Sequence, residues 1–193
     1  MNVYDFDNTI SHGDSTVAFI KYCVGLQPKV LLTMPGTGVA ALGMAMGIIS
    51  KTQFKEYMFR FLRHIPNVEQ AVEDFWDSGR CSIHRWYLDA HQEDDLVISA
   101  SPEFLLQPIC RRLGISNLIA SKVDPRTGRY SGPNCHGINK VSRYREVYGD
   151  TVPQAFYSDS YKDEPMARIA VQAYMVRGED VSPWIFRQRR SNP

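Results

Sequence analysis

The first strand signal of this chain covers residues 2–6, and the next does not come until Asp95–Ser99. The tract between them reads as helical. A crossover between two parallel strands needs far fewer residues, so the excess, roughly residues 15–80, is expected to be a helical insertion. Later strand signals fall near Leu118–Val123, at Gln154–Ser158 and at Ala173–Val176, with helical patterns between most of them. That alternation predicts an α/β fold with a mainly parallel sheet wrapped by helices.

Within the insertion, Phe54, Tyr57, Met58, Phe61, Leu62 and Ile65 recur with the period of one helix face, with Thr52 as the expected N-cap. Val68, Ala71, Val72, Phe75 and Trp76 form a second apolar face, capped by Asn67 with Gln70 and stopped at Gly79. Residues 83–92 suggest a further helix. Residues 123–133 suggest a β-hairpin turning at Arg126–Gly128.

Residues 30–50, between Lys29 and Lys51, carry no charge. The length would suit a membrane span. A single pass would part Asp5 from Ser99, however, and both are needed in one site. Two short buried helices joined at Pro35-Gly36 are expected instead. An apolar surface that dips into lipid or covers an apolar substrate stays open as the second reading.

The formal net charge of +1 gives no global field for nucleic acid. Cys23, Cys81, Cys110 and Cys135 form no CxxC pair and are expected to be reduced thiols in a cytoplasmic protein. Asp5 and Asp7 stand where a cleavable apolar leader would begin, so no signal peptide is expected. The basic run Arg187-Gln188-Arg189-Arg190 is expected to be a solvated tail. Arg60, Arg63 and Arg80 are expected on solvated faces, and the five histidines show no ligand spacing.

The chemistry is concentrated in a few polar residues. Asp5 and Asp7 lie two apart at the end of the first strand, followed by Thr9. Side chains at i and i+2 of a strand share a face. One carboxylate can therefore attack phosphorus while the other moves protons. An anionic nucleophile approaching an anionic ester requires a cation, and Mg²⁺ with its preference for oxygen ligands suits it. Ser99, Ala100 and Ser101 end an apolar strand, where a hydroxyl and amides can meet phosphoryl oxygens. Ser101 is expected to cap a helix that Pro102 opens. Lys140, near the start of a helix, can offset the charge of phosphate and nucleophile. Asp159 is placed to complete the metal's oxygen shell. Asp163 is expected to hold Lys140 or a metal-bound water, and stays a candidate metal residue.

In this order the motifs resemble the haloacid dehalogenase superfamily, in its phosphoserine-phosphatase-like branch. Asp5-Phe6-Asp7-Asn8-Thr9 matches the first motif, Ser99 the second, Lys140 the third, and Ser158-Asp159-Ser160-Tyr161-Lys162-Asp163 the fourth. The resemblance implies a Rossmann-like three-layer core over residues 1–14 and 81–193. It also implies a helical cap over 15–80, with the hairpin near 123–133 as a minimal second cap. It further implies Mg²⁺ held by Asp5, the Asp7 carbonyl and Asp159, and an aspartyl-phosphate intermediate. Asp7 favours a phosphatase over a dehalogenase. Asp14 stands where phosphoserine phosphatases carry a Glu for the substrate amine, and Lys162 stands where they carry Asn. The chemistry is therefore expected to carry over and the phosphoserine substrate is not.

The expected activity is a Mg²⁺-dependent phosphomonoesterase on a small phosphorylated alcohol. A lipid-phosphate phosphatase of the phosphatidylglycerophosphate type is the alternative, with peripheral membrane contact through residues 30–50. A phospho-acceptor signalling module is the alternative from another class. The sequence leaves the oligomeric state open.

Overall fold

The computed structural model describes residues 1–186. The basic run 187–190 lies outside them. The chain folds into one six-stranded sheet of order β3-β2-β1-β4-β5-β6. β1 (Asn2–Tyr4) is central and pairs in parallel with β2 (Leu96–Pro102) and with β4 (Ala155–Ser158). β3 (Asn117–Ser121) extends the sheet beyond β2, and β5 (Gln172–Arg177) extends it beyond β4, both in parallel. β6 (Asp180–Pro183) turns back antiparallel to β5 and is the one strand with no counterpart in the sequence reading. Its residues are all exposed, so it carries no apolar alternation to find.

Alternation along the strands divides the core into two layers. Val3, Leu96 and Ile98 pack on one face with Val141, Tyr144 and Met166. Tyr4, Phe6 and Val97 pack on the other with Phe19, Phe75, Leu105 and Leu106. Helices on both faces of a largely parallel sheet make the expected three-layer core.

The insertion contains α1 (Ser15–Leu26), α2 (Met34–Ala45), α3 (Lys51–Phe59) and α4 (Val68–Asp77), with 3₁₀ turns at Pro28–Thr33 and Arg60–His64. Its ends are tied by a short antiparallel ladder, in which His12 N–H donates to Ser82 (2.8 Å) and His84 N–H to Ile10 (2.8 Å). Phe19, Phe59, Phe61 and Phe75 share one apolar cluster with the sheet residues Tyr4 and Phe6. α1 and α4 are thus anchored on the core layer, α3 joins it through Phe59, and α2 contributes only Ala40 as a buried residue. α5 (Arg85–Ala90) then leads into β2.

Three local expectations are corrected here. The N-cap of α3 is Ser50, not Thr52: Ser50 Oγ accepts from Gln53 N–H and Gln53 reaches back to Ser50 N–H, a reciprocal cap. The helix also ends at Phe59, and a 3₁₀ turn carries Phe61 and Leu62 into the core. Finally, the apolar stretch 30–50 is not buried. Only Val30 and Ala40 are shielded, while Leu31, Leu32, Val39, Leu42, Met46 and Ile48 face outward, Leu32 at 73% exposure. No helix among the described residues is long and apolar enough to cross a membrane.

The remaining core helices are α6 (Glu103–Arg112), α7 (Ile138–Tyr148) and α8 (Glu164–Ala167). The hairpin near 123–133 is present as the bridge Val123–Tyr130. It braces α3, with Tyr130 N–H donating to Glu56 at 2.9 Å. At its turn Gly128 has φ +73°, and a Cβ there would lie 2.6 Å from the Phe59 carbonyl oxygen, so only glycine fits.

Candidate active site

β1 is followed by a connection to β2 on one side, and β4 lies on the other. The strand order therefore reverses at β1, and a crevice opens beyond the strand C-termini, where ligands of such sheets bind. Asp5 follows β1, Ser99–Ser101 end β2, and Ser158-Asp159 end β4. The backbone N–H of Asp5 donates to the Tyr157 carbonyl (2.9 Å), which locks the two strand ends side by side.

Lys140, in the first turn of α7, is 1% exposed. Its ammonium donates to Asp5 Oδ1 (2.7 Å) and to Asp163 Oδ2 (2.6 Å). Asp163 also accepts from the Ser158 hydroxyl at 3.0 Å. Asp163 thus holds Lys140, as the first of its two expected roles had it. Burial pushes the Asp5 carboxyl up to about 7, opposed by Lys140. The two carboxylates beside Lys140 outweigh its own burial and hold its proton more tightly than usual. Oδ2 of Asp5 has no partner among the described residues.

Asp7 is tied by both oxygens. Oδ1 accepts from Ser15 N–H (2.8 Å) and the Ser15 hydroxyl (2.6 Å), and Oδ2 accepts from the Ser101 hydroxyl. Burial raises its pKa first and the Asp14 charge second, against these hydrogen bonds. Ser101 is therefore not the helix cap expected of it. β2 runs on through it, and Pro102 occupies the N-cap position of α6 with no side-chain bond. The Ser101 hydroxyl donates to Asp7 instead of capping α6. Ser99 Oγ accepts from Ser101 N–H (3.1 Å), and the Ala100 carbonyl accepts from Lys55 and Ser121.

Thr9 is fully buried, and its hydroxyl accepts from the Asp159 N–H at 2.9 Å. It thereby pins the fourth-motif loop to the first. The Asp159 carboxylate accepts no hydrogen bond from another residue among the described ones, and burial and Asp163 raise its pKa. Asp14 caps α1, accepting from Val17 N–H at 2.9 Å.

The four motifs thus meet at one crevice, and the comparisons with known proteins agree on the family. The family model for haloacid dehalogenase-like hydrolases matches residues 3–168. The chain belongs to that family. It is similar to the CicA protein of Caulobacter vibrioides, 27% identical over 184 residues, covering 86% of this chain and 81% of that one. A protein named phosphoserine phosphatase SerB1, from Mycobacterium tuberculosis, is 33% identical over 116 residues, covering 56% of this chain and 37% of that one. A crystal structure of a Bordetella pertussis protein of unknown function matches with a TM-score of 0.69 at 22% identity, over 90% of this chain and 87% of that one. That last likeness shows the fold. The expected likeness to the phosphoserine-phosphatase-like branch and the expectation of a phosphatase hold.

Several site residues had escaped the sequence reading. Ser15 looks like the first residue of a helix, and only its approach to Asp7 marks it. Lys51 and Lys55 lie one turn apart on α3. Lys55 Nζ donates to the Ala100 carbonyl (3.0 Å) and to Asn134 Oδ1 (3.3 Å). Lys51 Nζ lies 3.0 Å from His136 Nε2, in the loop that precedes α7. Arg60, Arg63 and Arg80 are exposed, as expected, and Arg60 and Arg80 also lie over the rings of Tyr57 and Tyr22. His12 and His84, which share no sequence spacing, both meet Glu179 at the β5–β6 turn, at 3.3 and 2.8 Å.

Proposed function

We propose that the protein hydrolyses a phosphomonoester of a small alcohol through a phosphorylated Asp5. The observation that carries the reading is Lys140, a buried cation holding Asp5 by one oxygen and leaving the other unpartnered. Oδ2 of Asp5 attacks phosphorus, the ester P–O bond breaks, and Asp7 gives a proton to the departing alkoxide. Ionised Asp7 then takes a proton from water, which attacks the aspartyl-phosphate, frees inorganic phosphate and restores Asp5.

A proton donor must be protonated near neutral pH, and the raised Asp7 pKa serves that. Both Asp7 oxygens are held by serines, so proton delivery requires Ser15 or Ser101 to release one of them. The Ser99–Ser101 segment and Lys140 are proposed to receive the phosphoryl oxygens.

The donor set fits Mg²⁺: Asp5 Oδ2 and the Asp159 carboxylate are hard oxygens that no other described residue hydrogen-bonds, and burial raises the pKa of both groups. With the Asp7 carbonyl they would hold the ion, which supplies positive charge against the phosphoryl group. Asp163, already spent on Lys140 and Ser158, is assigned to Lys140. The test is turnover of p-nitrophenyl phosphate with Mg²⁺ and with chelator, together with mass-spectrometric detection of phosphate on Asp5. Unmodified Asp5 under rapid quench, alongside sustained turnover, would refute the mechanism.

A lipid-phosphate substrate is the second reading. It is favoured by the exposed Leu31, Leu32, Val39, Leu42, Met46 and Ile48 on the cap. From Lys21 to Arg63 the insertion carries Lys21, Lys29, Lys51, Lys55, Arg60 and Arg63 against Glu56 alone, which suits an anionic lipid surface. Flotation with phosphatidylglycerol vesicles, lost in Leu42→Glu, would support it. Equal turnover of monomeric and micellar substrate would weigh against it. The family match to hydrolases leaves the phospho-acceptor module without support.

A further inference from the structure

The histidines carry no ligand spacing along the chain, yet the fold brings two of them onto one carboxylate oxygen. His12 Nε2 and His84 Nδ1 lie 3.3 and 2.8 Å from Oε1 of Glu179. The three ligand atoms all fall within 4.8 Å of one another. Around a tetrahedral zinc ion with bonds of about 2.0–2.1 Å, neighbouring ligand atoms stand about 3.3 Å apart. Both distances from Oε1 are close to that spacing.

The set is held in place from outside itself. The backbones of His12 and His84 are fixed in the ladder at the base of the insertion, through Ser82 and Ile10. Glu179 is oriented by the start of α5: Oε2 accepts from Trp86 N–H at 3.0 Å and Oε1 from Arg85 N–H at 3.3 Å. The His84 side chain is buried, whereas those of His12 and Glu179 are about half exposed, so one side of the set is open to water. Among the described residues no lysine or arginine is ion-paired with Glu179, and the neighbouring Arg85 pairs with Asp89 instead.

The two imidazole rings lie with centroids 3.7 Å apart. Two imidazolium ions at that separation would repel each other. One dication shared by two neutral rings and a carboxylate satisfies all three groups. This donor set differs in kind from the oxygens of the crevice. Imidazole nitrogens favour a transition metal, whereas Mg²⁺ takes oxygen.

We propose that His12, His84 and Glu179 bind a divalent transition-metal ion of the zinc class, with no residue in common with the Mg²⁺ set. The ligands come from the segment by which the chain enters the insertion, the segment by which it returns, and the β5–β6 turn. Bound metal ties both ends of the insertion to the edge of the sheet, and its binding free energy adds to the stability of that junction. The inference is independent of the phosphatase reading.

The test is Zn²⁺ titration of the chelator-stripped full chain with Mg²⁺ in excess, read by calorimetry and by melting temperature, with Co²⁺ as a spectroscopic probe. One equivalent of Zn²⁺ should bind, and a hundredfold excess over its Kd should raise the melting temperature by about 5 °C or more. Co²⁺ should show the strong visible absorption of a four-coordinate site. His12→Ala and Glu179→Gln, both at half-exposed positions, should each weaken Zn²⁺ binding by about a hundredfold or more, since even outer-shell partners of a metal are worth about 10–100-fold. Asp159→Asn, which removes a carboxylate of the crevice, should leave it unchanged. Absence of Zn²⁺ binding by the wild type would overturn the site. So would equal binding by the wild type and both ligand variants. Loss of binding in Asp159→Asn alone would also overturn it, by moving the ion to the crevice.

Discussion

The floor and the roof of the crevice handle charge in opposite ways. On the floor, Lys140 is buried between Asp5 and Asp163, and Asp7 is held by Ser15 and Ser101, so these side chains are fixed by partners within the floor while Asp5 Oδ2 and Asp159 stay open to a cation. In the roof, Lys55 is half-buried and Lys51 is exposed, neither ion-paired with an acid among the described residues, and the outer surface of α2 is apolar and bare. Side chains held in place by such partners are oriented before substrate arrives, which electrostatic preorganisation requires. The roof's lysines have no such ionic partners. The floor thus fits the reaction and the roof fits the choice of substrate.

The sharpest break in that comparison is Asp5→Asn. The amide cannot form an acyl-phosphate, so turnover should fall by at least about 10³-fold on every ester, in a standard p-nitrophenyl phosphate assay. Asp7→Asn should cost about 10²–10⁴-fold, more for alkyl esters than for p-nitrophenyl phosphate, whose leaving group needs little protonation. Equal losses on both esters would remove Asp7 from the acid role.

Lys140→Met tests how much the buried cation contributes to holding Asp5 and Asp163 together. It leaves Asp5 and Asp163 facing each other in a dry site, and stability should fall by about 3–5 kcal/mol in urea melts. The sign with pH is fixed. Without the lysine the Asp5 carboxyl, already raised by burial, loses the charge that opposes the rise and gains affinity for protons on folding, so the loss grows as pH rises and shrinks as pH falls. A loss independent of pH would mean that packing, not charge, is Lys140's contribution. Thr9→Val, nearly the same shape, should cost about 1 kcal/mol by leaving the half-buried Asp159 N–H without its partner, and should also weaken stabilisation by Mg²⁺.

How far the sequence carried differs between the same two regions. The floor was legible because its groups sit at strand ends, and a strand end is marked by an apolar run such as Leu96-Val97-Ile98 that stops at a polar residue. Asp5, Ser99 and Asp159 were found in this way. Ser15 was not, because a serine opening a helix is ordinary until its N–H is seen aimed at Asp7. The roof was poorly legible. The uncharged run 30–50 read as buried, since apolarity alone does not say which side meets protein. Here α2 has the core on one side only, and its Gly36, Gly38 and Gly43 leave little to pack. Lys51 and Lys55 drew no site reading, because the groups they meet, Ala100, Asn134 and His136, come from far along the chain.

The smallest expected effect lies where floor and roof meet. Asp14 caps α1 beside Asp7, and its charge is the second cause of the raised Asp7 pKa. Asp14→Asn keeps the cap, since asparagine serves as well as aspartate there. It removes only the charge. The Asp7 carboxyl then loses its proton at lower pH, so the general acid is deprotonated sooner as pH rises. The alkaline limb of the kcat profile for an alkyl phosphate should move to lower pH, with the acid limb unmoved and the melting temperature little changed. A shift to higher pH would contradict the electrostatic link. A loss of activity at all pH values would mean that Asp14 touches the substrate itself, the role its position implied by analogy with phosphoserine phosphatases, and would place it in the roof rather than between the two.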